Sequence, residues 1–280
     1  LGVMADNGYD VNFKPQNGTA GVVEFTVEQY DFKTVNYGGT DFTQIIFDGR
    51  VVTSDKGFAE LPYVNANIQL GAFQNVEVAF NGLNYTEIQL DYPLVPSRGV
   101  IYRNQDPTQI PYEIAQESIV DAYYPAAFVD MAEPYIIKDV RGTTVYFYPF
   151  QYNAVTQTVR IWTEVEVVLK EAEGEPVNPL YQTSGKFFPE MEGMYQSVFM
   201  NYENNMEDLT VAETGDILVI TTSRDEDAIQ PYIDWKMMKG YNVYKEVVST
   251  GTNVASLVQQ KYDENNDINY VQLVGDWADV

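Results

Sequence analysis

The 280-residue chain contains no cysteine and no histidine. It therefore brings no thiol nucleophile, no imidazole base and no sulfur or imidazole metal ligand of its own. Absence of cysteine suits an oxidising or a reducing compartment equally, so it does not assign a location. Basic residues are scarce: 16 Lys and Arg stand against 41 Asp and Glu, a formal net charge of −25. That balance argues against nucleic acid and anionic membranes as partners, because phosphate contacts need Lys and Arg. The acidic surplus is first of all a solvated surface that keeps the chain soluble. It is also compatible with calcium binding or secretion, although no cofactor motif is evident. No apolar run approaches the roughly 18 residues of a membrane span. Leu1 is not followed by a charged segment and an apolar one, so any signal peptide is expected to be gone already.

What is present is apolar and aromatic. Hydrophobic residues make up 45% of the chain, with 22 Tyr and 14 Phe, enough for two cores and favourable to strands. The clearest stretch is the last, Gly215 to Asp276, which reads as strand, helix, strand, helix, strand. Asp216 to Thr222 is an almost continuous apolar run, as in a strand covered on both faces. The helix after it carries Ile229, Ile233 and Met237 on one face. Ser223 and Glu226 have capping-box spacing, but a start nearer Asp227 is preferred, because it brings Pro231 into the first turn. Gly240 is expected as the C′ residue. A strand over Tyr241 to Val247 follows. Thr252 is expected to cap a second helix with Val254, Leu257, Val258 and Tyr262 on its buried side. Tyr270 to Val274 is the third strand. Such alternation predicts a parallel sheet with right-handed crossovers, and functional groups beyond the carboxyl ends of its strands. Three strands make an unfinished sheet, the beginning of a larger α/β domain.

Residues 1–210 show almost no helical periodicity. Val22 to Val27, Val76 to Phe80, Tyr85 to Leu90 and Val159 to Val167 read as strands. Turn signals stand at Asn36-Tyr37-Gly38-Gly39, Asp48-Gly49, Asn81-Gly82 and Arg141-Gly142. Short strands with recurring turns predict a β-sandwich or barrel. Between two β regions, Pro96 to Pro134 reads as a long ordered excursion, a length of loop that is often functional. The polar stretch Asn201 to Gly215 places the boundary near residue 212: an all-β domain over 1–212 and the start of an α/β domain over 213–280.

Several side chains could carry chemistry. Asp263, Asn265, Asp267 and Asn269 alternate like calcium ligands, but the positions where an EF-hand needs Gly and Glu hold Ile268 and Val274. A polar helix-to-strand turn is the better reading. Asp276 stands just past the third strand, where functional acids gather in α/β folds, though an Asp after Gly is commonly a turn residue. Within the long loop, Arg103 is a candidate contact in a chain poor in basic residues, and Arg98 is a rival on the same grounds. A solvent-facing Arg is the plain alternative.

Residues 99–112, GVIYRNQDPTQIPY, resemble the propeptide of gingipain-type cysteine peptidases. So do PYIIKDVRGTTVYFYPFQYNAVTQTVRIWTEVEVVL at 134–169 and MNYE at 200–203. YIDWKMMKG at 232–240 and YVQLVGDWADV at 270–280 look like the start of the gingipain catalytic region. The resemblance implies a β-sandwich-like prodomain that assists folding and latency, followed by the first units of a caspase-like α/β peptidase domain. It implies a secreted or cell-surface protein that passes through the periplasm. Its partners would be the remainder of its own catalytic domain and the peptide or protein substrates of the parent. Catalytic His and Cys would lie beyond Val280, so no catalytic or metal-binding residue is expected within the chain. In arginine-specific members a prodomain loop sets an Arg in the specificity pocket, and the position most similar to it is Arg103, the expected latency contact.

One departure stands out. No Lys or Arg occurs between Lys186 and Arg224, so self-cleavage after a basic residue near 212 is unsupported. Either another enzyme processes the chain or the prodomain stays attached, as would suit the related sortase-like transpeptidases of type IX secretion. A non-catalytic secreted β-sandwich binding module is the alternative from another class.

Overall fold

A computed structural model of the chain describes residues 8–48, 51–203 and 214–276. Gly49 of the expected Asp48-Gly49 turn, the boundary near residue 212, and Trp277 lie outside the described residues. The described residues form two compact units. The first takes 8–136, 141–179 and 199–201; the second takes 137–140, 180–198 and 202–276.

The first unit is a β-sandwich. In chain order its strands are β1 (Tyr9–Lys14), β2 (Thr19–Val27), β3 (Asp31–Tyr37), β4 (Thr40–Ile46), β5 (Val51–Val52), β6 (Pro62–Leu70) and β7 (Val76–Gln89). After a long excursion come β8 (Val129–Met131), β9 (Tyr135–Ile137), β10 (Val140–Phe147), β11 (Phe150–Asn153) and β12 (Thr158–Glu171). One sheet runs β1-β2-β12-β11, with β7 along the other side of β12; the second runs β5-β6-β10-β8, with β9 also on β10. The strand β6 alternates buried and less buried residues along nearly its whole length, the period of a strand with one face on a core. Val23 and Phe25 of β2, Val165 and Val167 of β12, Ile68 of β6 and Phe147 of β10 meet between the sheets. Phe25 and Phe147 stack with ring centres 4.9 Å apart. Each large side chain so buried contributes roughly 1.5–3 kcal/mol relative to exposure.

Two expected turns are not turns. Asn81-Gly82 lies inside the 14-residue β7, which pairs with β12 from end to end. The register shifts between Trp162 and Glu164 and again between Glu164 and Glu166. A turn at Asn-Gly needs its flanking strands to pair with each other; here both pair with β12, so the Gly step accompanies a bulge instead. Arg141-Gly142 lies inside β10. Arg141 is 1% exposed. Its Nε donates to the Asn178 carbonyl, Nη1 to those of Gly71 and Gln74, and Nη2 to that of Val177. Gly142 admits the Phe199 ring: a Cβ there would stand 2.3 Å from Cε1 of Phe199. The Gly38-Gly39 hairpin does form, closing β3 on β4 with Tyr37 opposite Thr40. Both glycines have positive φ, 61° and 86°, as a two-residue hairpin loop requires.

The second unit holds α1 (Pro189–Val198), β13 (Asp216–Thr222), α2 (Glu226–Met238), β14 (Val243–Val248), α3 (Val254–Glu264) and β15 (Ile268–Val274). The sheet is parallel, in the order β14-β13-β15. All seven residues of β13 are buried, because its two faces are covered by different helices. Ile217 and Val219 meet Ile229 and Ile233 of α2. Leu218 and Ile220 meet Val254, Leu257, Val258 and Tyr262 of α3.

Details of the helices differ from expectation. Met237 is 56% exposed: eight residues of helix advance about 80° beyond two full turns, so it drifts off the face of Ile229. The first residue of α2 is Glu226, with Asp225 at the N-cap position. Pro231 therefore lies in the helix interior, and its missing N–H falls opposite the Asp227 carbonyl. Gly240 is the C′ residue, as expected: Gly240 N donates to Met237 O and Tyr241 N to Lys236 O, a Schellman pair. The cap of α3 is Asn253, whose side chain accepts from Ser256 N; the Thr252 hydroxyl turns back to the Ser249 carbonyl instead. Helix α1, absent from the sequence reading, buries Met191 and Tyr195.

Candidate functional site

The excursion between β7 and β8 is tied to the sandwich at both ends. Thr43 N donates to Pro93 O and Val95 N to Thr43 O at its start. Tyr124 and Tyr152 exchange backbone hydrogen bonds of 2.9 and 2.8 Å near its end. Midway, Gly57 N donates to Ser97 O and Ala115 N to Gly57 O. Gly57 has φ +82°, and a Cβ there would lie 2.5 Å from Cβ of Ala115, so this close approach needs glycine.

Between those ties, residues 98–112 build a small platform. Arg98 donates from Nη1 to the Pro107 carbonyl at 2.5 Å and lies over the Tyr112 ring, 4.5 Å from its centre. Tyr112 stacks in turn on Tyr37, with centroids 4.0 Å apart and planes 14° apart. Asp106 caps the 3₁₀ turn Pro107–Gln109, accepting from the Thr108 hydroxyl and backbone N–H. Those bonds hold the Asp106 carboxyl below the usual range, the hydroxyl contributing most.

At the outer end stands a tight turn. Gln105 N donates to Tyr102 O, and Tyr102 N donates to Oε1 of Gln105, both at 2.9 Å. Arg103 occupies the second position of this turn and is exposed. Among the described residues it makes no hydrogen bond, ion pair or ring contact. The two rival arginines thus differ in kind: Arg98 holds the loop together, and Arg103 is presented by it.

The other residues singled out from the sequence do not converge. Asp263 accepts from Gln259, one turn back on α3. Asn265 donates to Asp216 and accepts from Asp267 N, closing the expected helix-to-strand turn. Asp267 pairs with Lys186 at 2.5 Å. The amide of Asn269 is buried without a partner among the described residues. Among the described residues, no three or more acidic side chains are grouped so as to hold a metal ion. Asp276 is exposed beyond β15.

One arrangement had no signal in the sequence. Lys138 has φ 52°, which turns its ammonium toward the Asn266 carbonyl. Burial lowers its pKa, against the pull of Asp139, Asp267 and Asp216. Asp139 accepts from the Ser184 backbone and hydroxyl, both at 2.6 Å. Residues near 138 and 186 are thus clasped to 266–268, all within the second unit. Only distant pairing reveals such a contact, since its members are more than 80 residues apart.

A family model described as Propeptide_C25 matches residues 9–209. Gingipain R2 of Porphyromonas gingivalis is 32% identical over 266 residues, covering 92% of this chain and 36% of that protein. The chain belongs to the gingipain propeptide family. Gingipain R1 of the same organism is 32% identical over 235 residues, 81% of this chain and 23% of that protein. The chain thus spans about a third or less of these gingipains. Its alignment with gingipain R2 covers more of the chain than the propeptide match does. Among solved structures, the complex of Porphyromonas gingivalis RgpB pro- and mature domains matches with TM-score 0.61 and 31% identity, covering 69% of this chain and 98% of the matched one. A structure addressing the zymogenic latency of gingipain K from Porphyromonas gingivalis matches in fold, with TM-score 0.50 and 15% identity over 61% of this chain and 98% of that one. Kinship with the gingipains supports an extracellular location. Among the described residues no helix is long and apolar enough to cross a membrane.

Proposed function

We propose that residues up to about 212 are the latency-conferring propeptide of a cysteine endopeptidase, and that residues from 213 begin its catalytic domain. The parent would be exported through the periplasm and would hydrolyse peptide bonds with a Cys–His pair that this chain does not contain. Arg103 is the latency contact. The observation that carries this reading is the contrast between the arginines: the platform uses Arg98 internally and leaves Arg103 unpartnered on a closed turn. A guanidinium so presented suits a carboxylate at the floor of a specificity pocket, which it would pair with bidentately. It would fill the pocket without aligning a scissile bond for attack.

No Lys or Arg lies between Lys186 and Arg224. Removal of the propeptide by self-cleavage after a basic residue at the boundary is therefore not part of this proposal; another enzyme cuts there, or the propeptide stays. The test is inhibition in trans of a mature arginine-specific gingipain by the 280-residue chain. Arg103→Ala should weaken inhibition at least about thirtyfold, the loss of one partner from a desolvated charged pair. Equal inhibition by wild type and variant would remove Arg103 from this role.

A further inference from the structure

The turn that carries Arg103 is closed twice by one residue. Gln105 N donates to the Tyr102 carbonyl, the bond of a tight turn with Arg103 and Asn104 at its centre. The Gln105 side chain then reaches back, and its Oε1 accepts from Tyr102 N at 2.9 Å. Tyr102 thus has both of its backbone groups committed to Gln105. The chain on the far side is fixed as well. Asp106 is extended, with φ −83° and ψ 111°, as suits the residue before a proline, and its side chain caps the 3₁₀ turn that follows. Arg98 Nη1 donates to the Pro107 carbonyl, which draws the two flanks together below the tip.

An arginine set in the pocket of an arginine-specific peptidase is also the beginning of a substrate. The backbone around it separates the two roles. A peptidase attacks a bond held in near-attack geometry. An extended peptide presents its N–H and C=O groups for pairing with a strand of its partner. At Tyr102 neither group is available, and the Arg103–Asn104 bond lies at the centre of the turn. Opening the turn breaks both hydrogen bonds, and cleavage through an opened state follows the population of that state.

We infer that Gln105 is the positioning residue that makes this loop an inhibitor instead of a substrate. Its side-chain oxygen and backbone N–H hold Tyr102 so that Arg103 enters the pocket while the Arg103–Asn104 bond stays out of line for attack. The inference rests on the assignment of Arg103 as the latency contact, and adds the reason why that contact persists. The step held back is hydrolysis, which adds one water across the Arg103–Asn104 bond and leaves a carboxylate on Arg103 and an amine on Asn104. Gln105 acts on this step through Tyr102.

The experiment incubates a mature arginine-specific gingipain with the 280-residue chain, following residual activity over time and the masses of the fragments. Wild type should inhibit durably with the Arg103–Asn104 bond intact. Gln105→Ala removes one of the two closing bonds. It should inhibit at first within about tenfold of wild type, then be cut after Arg103 about three- to tenfold faster. Inhibition should fade as the fragment ending at Arg103 accumulates. Gln105→Glu keeps an acceptor oxygen for Tyr102 N and should resist cleavage as wild type does. Equal cleavage rates after Arg103 in Gln105→Ala and wild type would overturn the inference. So would fading inhibition in Gln105→Ala without a fragment ending at Arg103, or cleavage of Gln105→Glu at the rate of Gln105→Ala. Equal inhibition by Arg103→Ala and wild type is a separate result, which would remove the latency assignment itself and this inference with it.

Discussion

The guanidinium carbon of Arg98 stands 4.5 Å from the centre of the Tyr112 ring, and the same side chain reaches the Pro107 carbonyl. One residue therefore joins both flanks of the turn that presents Arg103. Replacing Arg98 with Ala should loosen residues 98–112 without touching the tip. Inhibition of a mature gingipain in trans should fall about three- to tenfold, consistent with an exposed cation–π contact of roughly 0.5–1 kcal/mol and one hydrogen bond. Faster amide exchange confined to this segment would accompany it. Inhibition unchanged alongside faster exchange would show that loop order is not needed for latency.

Gly142 leaves no space for a side chain. A Cβ would stand 2.3 Å from the Phe199 ring and 2.7 Å from the Ile68 carbonyl. The second contact is backbone and cannot rotate away. Gly142→Ala should lower stability by about 1–3 kcal/mol, read as a lower urea midpoint. Arg141→Met should lower it by about 3 kcal/mol or more, because four carbonyl contacts lose their donor inside the fold. A midpoint within error of wild type for either would mean that this edge of the sandwich repacks freely.

Burial pushes the Tyr195 hydroxyl up to about 12 from its ordinary value of 10. A group whose folded pKa is raised keeps its proton in the folded chain where the unfolded chain has released it. Its stabilisation is complete below pH 10 and is lost as pH rises from 10 through 12. Tyr202 is shifted upward for the same first cause, with the Glu192 hydrogen bond adding to it. Lys138, whose pKa burial lowers, acts in the opposite sense. Tyr195→Phe should therefore flatten the alkaline limb of stability against pH while leaving the neutral region little changed. A limb of unchanged slope would assign alkaline unfolding to other groups.

Pro231 interrupts α2 in its interior. Pro231→Ala restores a donor for the Asp227 carbonyl. Set against a small loss of rigidity in the unfolded chain, the gain should be about 2 kcal/mol, visible as a higher melting temperature. An unchanged melting temperature would mean that the surrounding structure already accommodates the gap.

Much of the α/β part is legible in the sequence because a strand covered on both faces must be apolar throughout, as Asp216 to Thr222 nearly is. Gly240 and Gly38-Gly39 are legible because their backbone conformations favour glycine. Helix α1 is not: Gly193 interrupts it, and only Met191 and Tyr195 mark its buried face. The Arg141-Gly142 and Asn81-Gly82 pairs mislead because local turn chemistry says nothing about distant partners. Arg141 finds carbonyls near residues 71–74 and 177–178, and β7 finds β12. At the candidate site, composition leaves Arg98 and Arg103 equal, and only the Tyr112 ring and the Pro107 carbonyl tell them apart.

The clasp of Lys138 and Lys186 onto residues 266–268 separates two events that a scheme of activation by proteolysis would merge. A cut anywhere in 204–213 severs the chain, yet both lysines lie on the amino-terminal fragment and their acceptors on the carboxyl-terminal one. Hydrolysis would then leave a nicked but assembled zymogen. Release becomes a dissociation between fragments, so its extent should depend on dilution and on ionic strength, neither of which affects the cut itself.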